Sequence, residues 1–336
     1  MTWRIGLLVL LFSVATLGVG LWIDYQRFLE TPVGVPSSEP YLEIPRGTSL
    51  RALSDRMARE GILDQPYYFI ALAYLEGAQR RIKAGEYALR PSVTPRELLD
   101  AMTAGKGVQF AITLIEGRTF RQALAVIDAH EQFGGDALSL LSDAELMAKL
   151  GRPGEHPEGR FFPDTYHFPR KAKGLDVLER ALERMDQVLA EEWSDREPGL
   201  PFDTPYEALI LASIIEKETA VQQERPAIGG VFVRRLERGM KLQTDPTVIY
   251  GMGERYDGNI RRADLREPTP YNTYVIQGLP PTPIALPGRA AIHAALHPAE
   301  GEALYFVARG DGSHVFSSTL AEHQQAVRRY ILNKGG

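Results

Sequence analysis

Cysteine is missing from all 336 residues. That removes disulfides, zinc–thiolate sites, iron–sulfur clusters and cysteine nucleophiles together, though it leaves the compartment open. An excess of positive charge is missing too. The chain carries 38 Lys and Arg against 43 Asp and Glu, a net charge of −5, which argues against a nucleic-acid binder, whose footprint is a basic stripe or domain. No glycine-rich loop leads into Lys-Ser or Lys-Thr, and Gly229-Gly230 falls inside an apolar helical pattern, so no nucleotide cofactor is implied. His293 and His297 stand four apart without the intervening glutamate of a zincin helix. With His314 and His323 they read as ordinary surface or core histidines, and no metal or other cofactor is expected. Internal repeats and low-complexity tracts are absent as well.

What is present begins at the amino terminus. From Ile5 to Ile23 no residue is ionisable. As a helix this run is about 28 Å long, close to the hydrocarbon thickness of a bilayer. It passes directly into Asp24-Tyr25-Gln26-Arg27, without the small-residue site of a cleaved signal peptide, so an uncleaved single-pass anchor over residues 5–23 is expected. Only Arg4 and the amino terminus precede it, which puts residues 1–4 in the cytosol and the long remainder across the membrane. Trp3 and Trp22 would mark the two interfaces. Residues 24–40 read as a linker, with Pro32, Gly34, Pro36, Ser37, Ser38 and Pro40 forming a semi-extended spacer.

Residues 41–105 have the rhythm of a small α/β module. Tyr41 to Pro45 alternates like a strand, helices follow Ser49 and Pro66, and Ala84 to Leu89 reads as a returning strand. Thr94-Pro95-Arg96-Glu97 carries the cap, proline and glutamate that open a helix to Met102. A module of this order is similar to a LysM domain, a glycan-binding unit, and a packing or spacer role fits it equally. Residues 106–336 form the remaining domain. It holds a strand over Gln109–Ile115, an aromatic-rich segment from Gly159 to Tyr166, and an amphipathic helix from Leu175 to Trp193. The fold class expected is α+β: a transmembrane helix, a small LysM-like module and a mixed α+β catalytic domain.

Thr204-Pro205-Tyr206-Glu207 is a strong helix start, and the helix it opens is apolar on nearly every face through Ile215, so it is buried. At its end stand Glu216, Lys217, Glu218 and Thr219. Glutamates two apart face about 200° from each other and cannot act as a shared-proton dyad. Glu218 lies over Leu211, Ile214 and Ile215, whereas Glu216 lies over Leu209, Ala212 and Ser213. Drier neighbours raise a carboxyl pKa toward the range of a general acid, which favours Glu218. Lys241 to Gly251, Thr269 to Tyr274 and Gly278 to Gly288 are rich in amide, hydroxyl, aromatic and proline residues, as suits loops lining a saccharide groove.

The run Ala212 to Thr219, then Leu242 to Gly251, then Tyr271-Asn272-Thr273-Tyr274 and Gly278-Leu279-Pro280-Pro281 strongly resembles the YceG-like endolytic murein transglycosylases (MltG). Phe162-Pro163-Asp164-Thr165-Tyr166 is similar to the family too, as is the order of anchor, LysM-like module and catalytic domain. Leu286 departs from it, since members often carry Asn before this Pro-Gly. The resemblance implies a lyase of the inner membrane with its catalytic part in the periplasm. Its substrate would be peptidoglycan glycan strands, cut internally at the MurNAc–GlcNAc β-1,4 bond, and its partners the membrane and the synthases whose strand elongation it terminates. It makes Glu218 the catalytic acid and base, with the substrate's own 6-hydroxyl as nucleophile and a 1,6-anhydro end as product. Glu216, Gln243, Thr244, Asp245, Tyr250, Tyr271, Asn272 and Tyr274 are the substrate-binding candidates. A hydrolase using Asp245 as a second carboxylate and a non-enzymatic glycan-binding scaffold are the competing readings.

Overall fold

Helix α1 runs unbroken over Thr2–Glu30 and carries the apolar stretch, whose side chains from Ile5 to Ile23 are exposed. The structure, a computed structural model, describes residues 2–36, 40–131, 133, 137–170 and 172–332. Ser37 and Ser38 of the expected spacer, Met1 and residues 333–336 lie outside these. The chain divides into two units, Met1–Phe110 with His167–Lys171, and Ala111–Tyr166 with Ala172–Gly336. The expected boundary at 105/106 lies five residues before this division.

In the first unit, β1 (Tyr41–Ile44), α2 (Leu50–Arg59), α3 (Pro66–Leu75), β2 (Gly85–Ala88) and α4 (Pro95–Ala104) follow α1. β1 and β2 are antiparallel, with Leu42 opposite Tyr87. Their inward residues meet Leu53, Met57, Phe69, Leu72, Leu98 and Met102 in one core. Ser49 caps α2, and Thr94 with Glu97 forms the reciprocal box that opens α4. The expected 24–40 linker is not a free spacer in its first half. Residues up to Glu30 are helical, and Phe28, Leu29 and Val33 are buried in this same core. Val33 N donates to Val93 O (2.8 Å) and Gly34 N to Ile62 O (2.9 Å). A Cβ on Gly34 would come within 1.9 Å of Gly61 O. Proline and glycine are in this stretch because it docks closely, a use of those residues that composition alone does not separate from flexibility.

Two further strands, β3 (Phe110–Thr113) and β4 (Thr165–Phe168), pair as a two-stranded sheet. The second unit then contains α5 (Phe120–Asp128), α6 (Asp143–Lys149), α7 (Gly174–Ser194), α8 (Pro205–Glu218), α9 (Arg225–Glu237), α10 (Asp245–Met252), α11 (Arg289–Leu296), the antiparallel hairpin β5 (Tyr305–Ala308) and β6 (His314–Ser317), and α12 (Leu320–Val327). α8 is the central helix. Thr204 and Glu207 form its capping box with Pro205 in the first turn, and every residue from Ala208 to Ile215 is buried. α7, α9, α10 and α11 pack around it. Gly229 and Gly230 let α9 come close to α11 and the segment after it: a Cβ on Gly229 would lie 2.4 Å from Ala294 O, and one on Gly230 2.4 Å from Ala299 O. The fold is mixed α+β, with sheets of two strands only among the described residues.

Candidate active site

Glu218 is the last residue of α8, where a buried helix surfaces with its carboxyl still partly enclosed. Thr244 holds that carboxyl. It occupies the N-cap position of α10, yet its side chain does not cap the helix; the hydroxyl donates to Glu218 Oε1 instead. The backbone around Thr244 is pinned to make this possible. Thr244 N donates to Thr273 Oγ1 (3.1 Å), Thr247 Oγ1 donates to Thr244 O (2.8 Å), and the hydroxyls of Thr247 and Thr273 are 2.8 Å apart. All three threonines are buried. The preceding residue, Gln243, takes a φ of 52°, a left-handed conformation that is strained outside glycine and clusters at functional sites.

Burial pushes the Glu218 carboxyl up to about 7, reinforced by the charge of Asp245 and opposed by the Thr244 hydroxyl and the charges of His314 and Arg235. Each of these groups is fixed in turn. Asp245 Oδ1 accepts from the Tyr274 hydroxyl at 2.6 Å, and burial together with this carboxylate raises the Tyr274 phenol. Arg235 is buried, donating to Leu304 O (2.7 Å) and Leu242 O (2.7 Å). His314 meets Glu224 twice, through its backbone N (2.9 Å) and Nδ1 (2.7 Å).

Glu216 faces elsewhere, as the helix spacing requires. Arg225 Nη2 lies 2.7 Å from its Oε1 in a buried ion pair, and Gly288 N donates to Oε2 at 3.0 Å. Burial raises this carboxyl, partly offset by Gly288 and Arg225. Each oxygen thus has a partner, from α9 and from the loop before α11, and these contacts brace the end of α8 against both. Asn272 is also internal. Its amide donates to Asp264 O (3.0 Å) and Glu267 O (2.8 Å) while its oxygen accepts from Tyr274 N (3.0 Å), leaving it to shape the loop that presents Tyr274. Tyr250 and Tyr271 form a separate edge-to-face pair with centroids 4.8 Å apart. Their hydroxyls bond inward, Tyr250 to Glu158 Oε2 (3.0 Å) and Tyr271 to Thr282 (2.9 Å).

The structure thus brings together Glu218, Thr244, Asp245 and Tyr274, with the exposed Gln243 adjoining them. The 278–288 loop divides: Gly278 to Pro281 line a pocket with Tyr206 and Ile210, whereas residues 282–288 are buried, with Ile284 N donating to Ser213 Oγ at 2.9 Å. Leu286 is buried there, and its backbone N and O bond Arg118 O (2.8 Å) and Gly117 N (2.9 Å). Sequence reasoning missed Arg235 and His314, which come from distant segments and carry no local signal. It also missed Glu158, a buried carboxyl pushed up to about 7 by desolvation despite hydrogen bonds from Phe120 N, Tyr250 and Gly159 N. Its one available signal is position, directly before Gly159 and the aromatic run.

Glu192, His293 and His297 are the cluster nearest to a metal site among the described residues, with candidate ligand atoms within 4.8 Å of one another. Its geometry does not suit one. The two imidazoles stack at 4.1 Å and 19°, so their in-plane lone pairs run side by side instead of converging. Glu192 is already engaged by Arg289 (2.7 Å). His323 stacks on Tyr305 (5.2 Å) and His314 pairs with Glu224, so the four histidines do not meet.

The sequence pattern of the YceG-like family matches residues 42–329. An endolytic murein transglycosylase of Bacillus subtilis is 31% identical over 327 residues, covering 92% of this chain and 90% of that protein. One from Streptococcus pneumoniae serotype 2 is 26% identical, covering 96% of this chain and 65% of that protein. The crystal structure of a yceG-like protein from Listeria monocytogenes aligns with a TM-score of 0.56 at 30% identity, over 85% of this chain and 98% of that one. With the family pattern spanning nearly the whole chain, the protein belongs to the YceG-like family.

Proposed function

We propose that this protein is a membrane-anchored peptidoglycan lytic endotransglycosylase with Glu218 as its single acid and base. The observation that carries this reading is the Glu218 carboxyl, pushed up to about 7 and tethered by Thr244. Such a group is partly protonated at neutral pH and can both give and take a proton. In the first half-reaction Glu218 protonates the glycosidic oxygen between MurNAc and GlcNAc, and the C1–O bond breaks. In the second, the carboxylate takes the proton of the MurNAc 6-hydroxyl as O6 attacks C1, closing the 1,6-anhydro ring and restoring the acid. No water is consumed. Asp245 and Tyr274 stand beside the acid, where they suit contacts to sugar hydroxyls, and Gln243 and the Tyr250–Tyr271 pair extend the polar and aromatic surface.

The activity for which the relatives are named supports this reading, and so does α1, whose exposed apolar length suits one membrane crossing with the rest in the periplasm. The order β1, α2, α3, β2 supports a LysM-like glycan-binding role for the first unit. An enzyme held at the membrane meets strands as they are made, so we assign it the termination of strand elongation beside the synthases. Glu218→Gln should keep the fold and lower release of anhydro-ended fragments from purified sacculi by about 10²–10⁴-fold; undiminished cleavage would overturn the assignment. The charge of Asp245, which reaches Glu218, favours a second reading, hydrolysis with Asp245 as base. Mass spectrometry separates the two, because hydrolysis leaves reducing ends one water heavier.

A further inference from the structure

Helix α3 is apolar all round, PYYFIALAYL, a composition that calls for burial on every face. Only one face is buried, through Phe69, Leu72 and Ala73. On the other, Tyr67 is 72%, Tyr74 63% and Leu75 73% exposed. The spacing of these three, seven and eight residues apart, puts them in one stripe with Ala71 between. A patch of this kind in water marks an interaction surface.

Its neighbour identifies the occupant. A ladder of rings leads from the end of the apolar run of α1 to α3: Trp22 to Tyr25 at 6.1 Å, Tyr25 to Tyr68 at 5.6 Å, and Phe28 to Tyr68 at 5.7 Å. The Tyr68 hydroxyl donates to Asp24 at 3.0 Å, the first ionisable residue after the run. The amino-terminal turn of α3 is thereby held within about one helical turn of the level where α1 leaves the hydrocarbon. Tyrosine and tryptophan favour that layer, with the ring among acyl chains and the polar tip among headgroups.

We propose that α3 is a second membrane contact, its Tyr67–Tyr74–Leu75 face lying in the interfacial layer of the bilayer that α1 spans. This rests on the reading of α1 as a membrane anchor. Two attachments, one spanning and one lying on the surface, would fix the orientation of the first unit against the membrane, as a single helix cannot.

The absence of cysteine gives a clean test. Leu75→Cys, Tyr74→Cys, Leu17→Cys within the run and Glu254→Cys as an exposed reference are each labelled with bimane. The full-length protein is placed at high dilution in phosphatidylethanolamine–phosphatidylglycerol vesicles. Labels at 74 and 75 should show iodide quenching at least about threefold weaker than the reference and strong quenching by lipids bearing a nitroxide near the headgroup. The replaced side chains at 74 and 75 are exposed, so the core is left intact, and circular dichroism checks this. If the label at 17 is in lipid while those at 74 and 75 match the reference, the inference is overturned and the anchor stands. If the label at 17 is open to iodide, the anchor reading fails and takes the inference with it. Protection that appears only on adding glycan strands, or only as protein is concentrated in the vesicles, would assign the face to glycan or to a second copy and overturn the proposal.

Discussion

Thr244 forgoes the cap of its own helix to hold Glu218, so the stability of α10 and the ionisation of the acid meet in one hydroxyl. Removing it with Thr244→Val deletes a hydrogen bond that favours the carboxylate. The carboxyl pKa should then rise further, moving the descending limb of the pH–rate profile upward, because Glu218 must start protonated, while the proton it gives up leaves a carboxylate that has lost its hydrogen bond. Turnover at neutral pH should fall about 10–100-fold, the worth of a hydrogen bond to a charged group. A pH–rate series on both proteins measures this. Glu158 offers a readout independent of activity. Its folded-state pKa of about 7 lies above the ordinary carboxyl value of 4.5, so the native state keeps a proton that the unfolded chain releases. Stability must therefore fall as pH rises from 4.5 through 7, by at most about 1.4 kcal/mol per pH unit for this group. Glu158→Gln, which mimics the protonated form, should flatten that slope in denaturant titrations across the window. At this scale the candidate acid was legible, because helix spacing and apolar neighbours separate Glu218 from Glu216. Arg235 and His314 were not, because charges that tune a carboxyl through space leave no mark in its local sequence.

Helices begin where caps are written in the sequence, and Thr94, Thr204 and their glutamates do so here. Segments chosen by composition fared less evenly. The stretch beginning at Asp245, read as a loop for its polar and aromatic content, is helix α10, started by Pro246 in its first turn. Of the proline-rich 278–288 segment, read as a groove wall, residues 278–281 line a pocket, while 282–288 are buried beside α8, where prolines have no backbone donor to satisfy and the apolar residues fit. The packing of α9 on α11 depends on Gly229. Gly229→Ala would press a methyl to 2.4 Å from Ala294 O, and the helices must part to accept it. A loss of about 1–3 kcal/mol is expected, read as a lower denaturation midpoint with unchanged m-value.

Across the whole molecule, the apolar helix should decide where the protein works. Deleting residues 2–23 should move it from the membrane fraction to the soluble fraction, assayed by ultracentrifugation and blotting. Cleavage of purified sacculi in solution should persist, since Glu218 and its partners belong to the second unit. The sequence by itself determined the long apolar amino-terminal helix, the α+β class, the principal helices, and that Glu216 and Glu218 face apart. Each rests on local pattern: an uncharged run, a capping box, a spacing of 100° per residue. Only the tertiary structure decided that Phe28, Leu29 and Val33, in the first half of the supposed linker, join the core, that Arg225 and Gly288 engage Glu216, that backbone groups hold Asn272, and that Thr244 bonds Glu218. Those assignments depend on which buried polar group finds which partner, and burial with long-range hydrogen bonding is settled only once the chain has closed on itself.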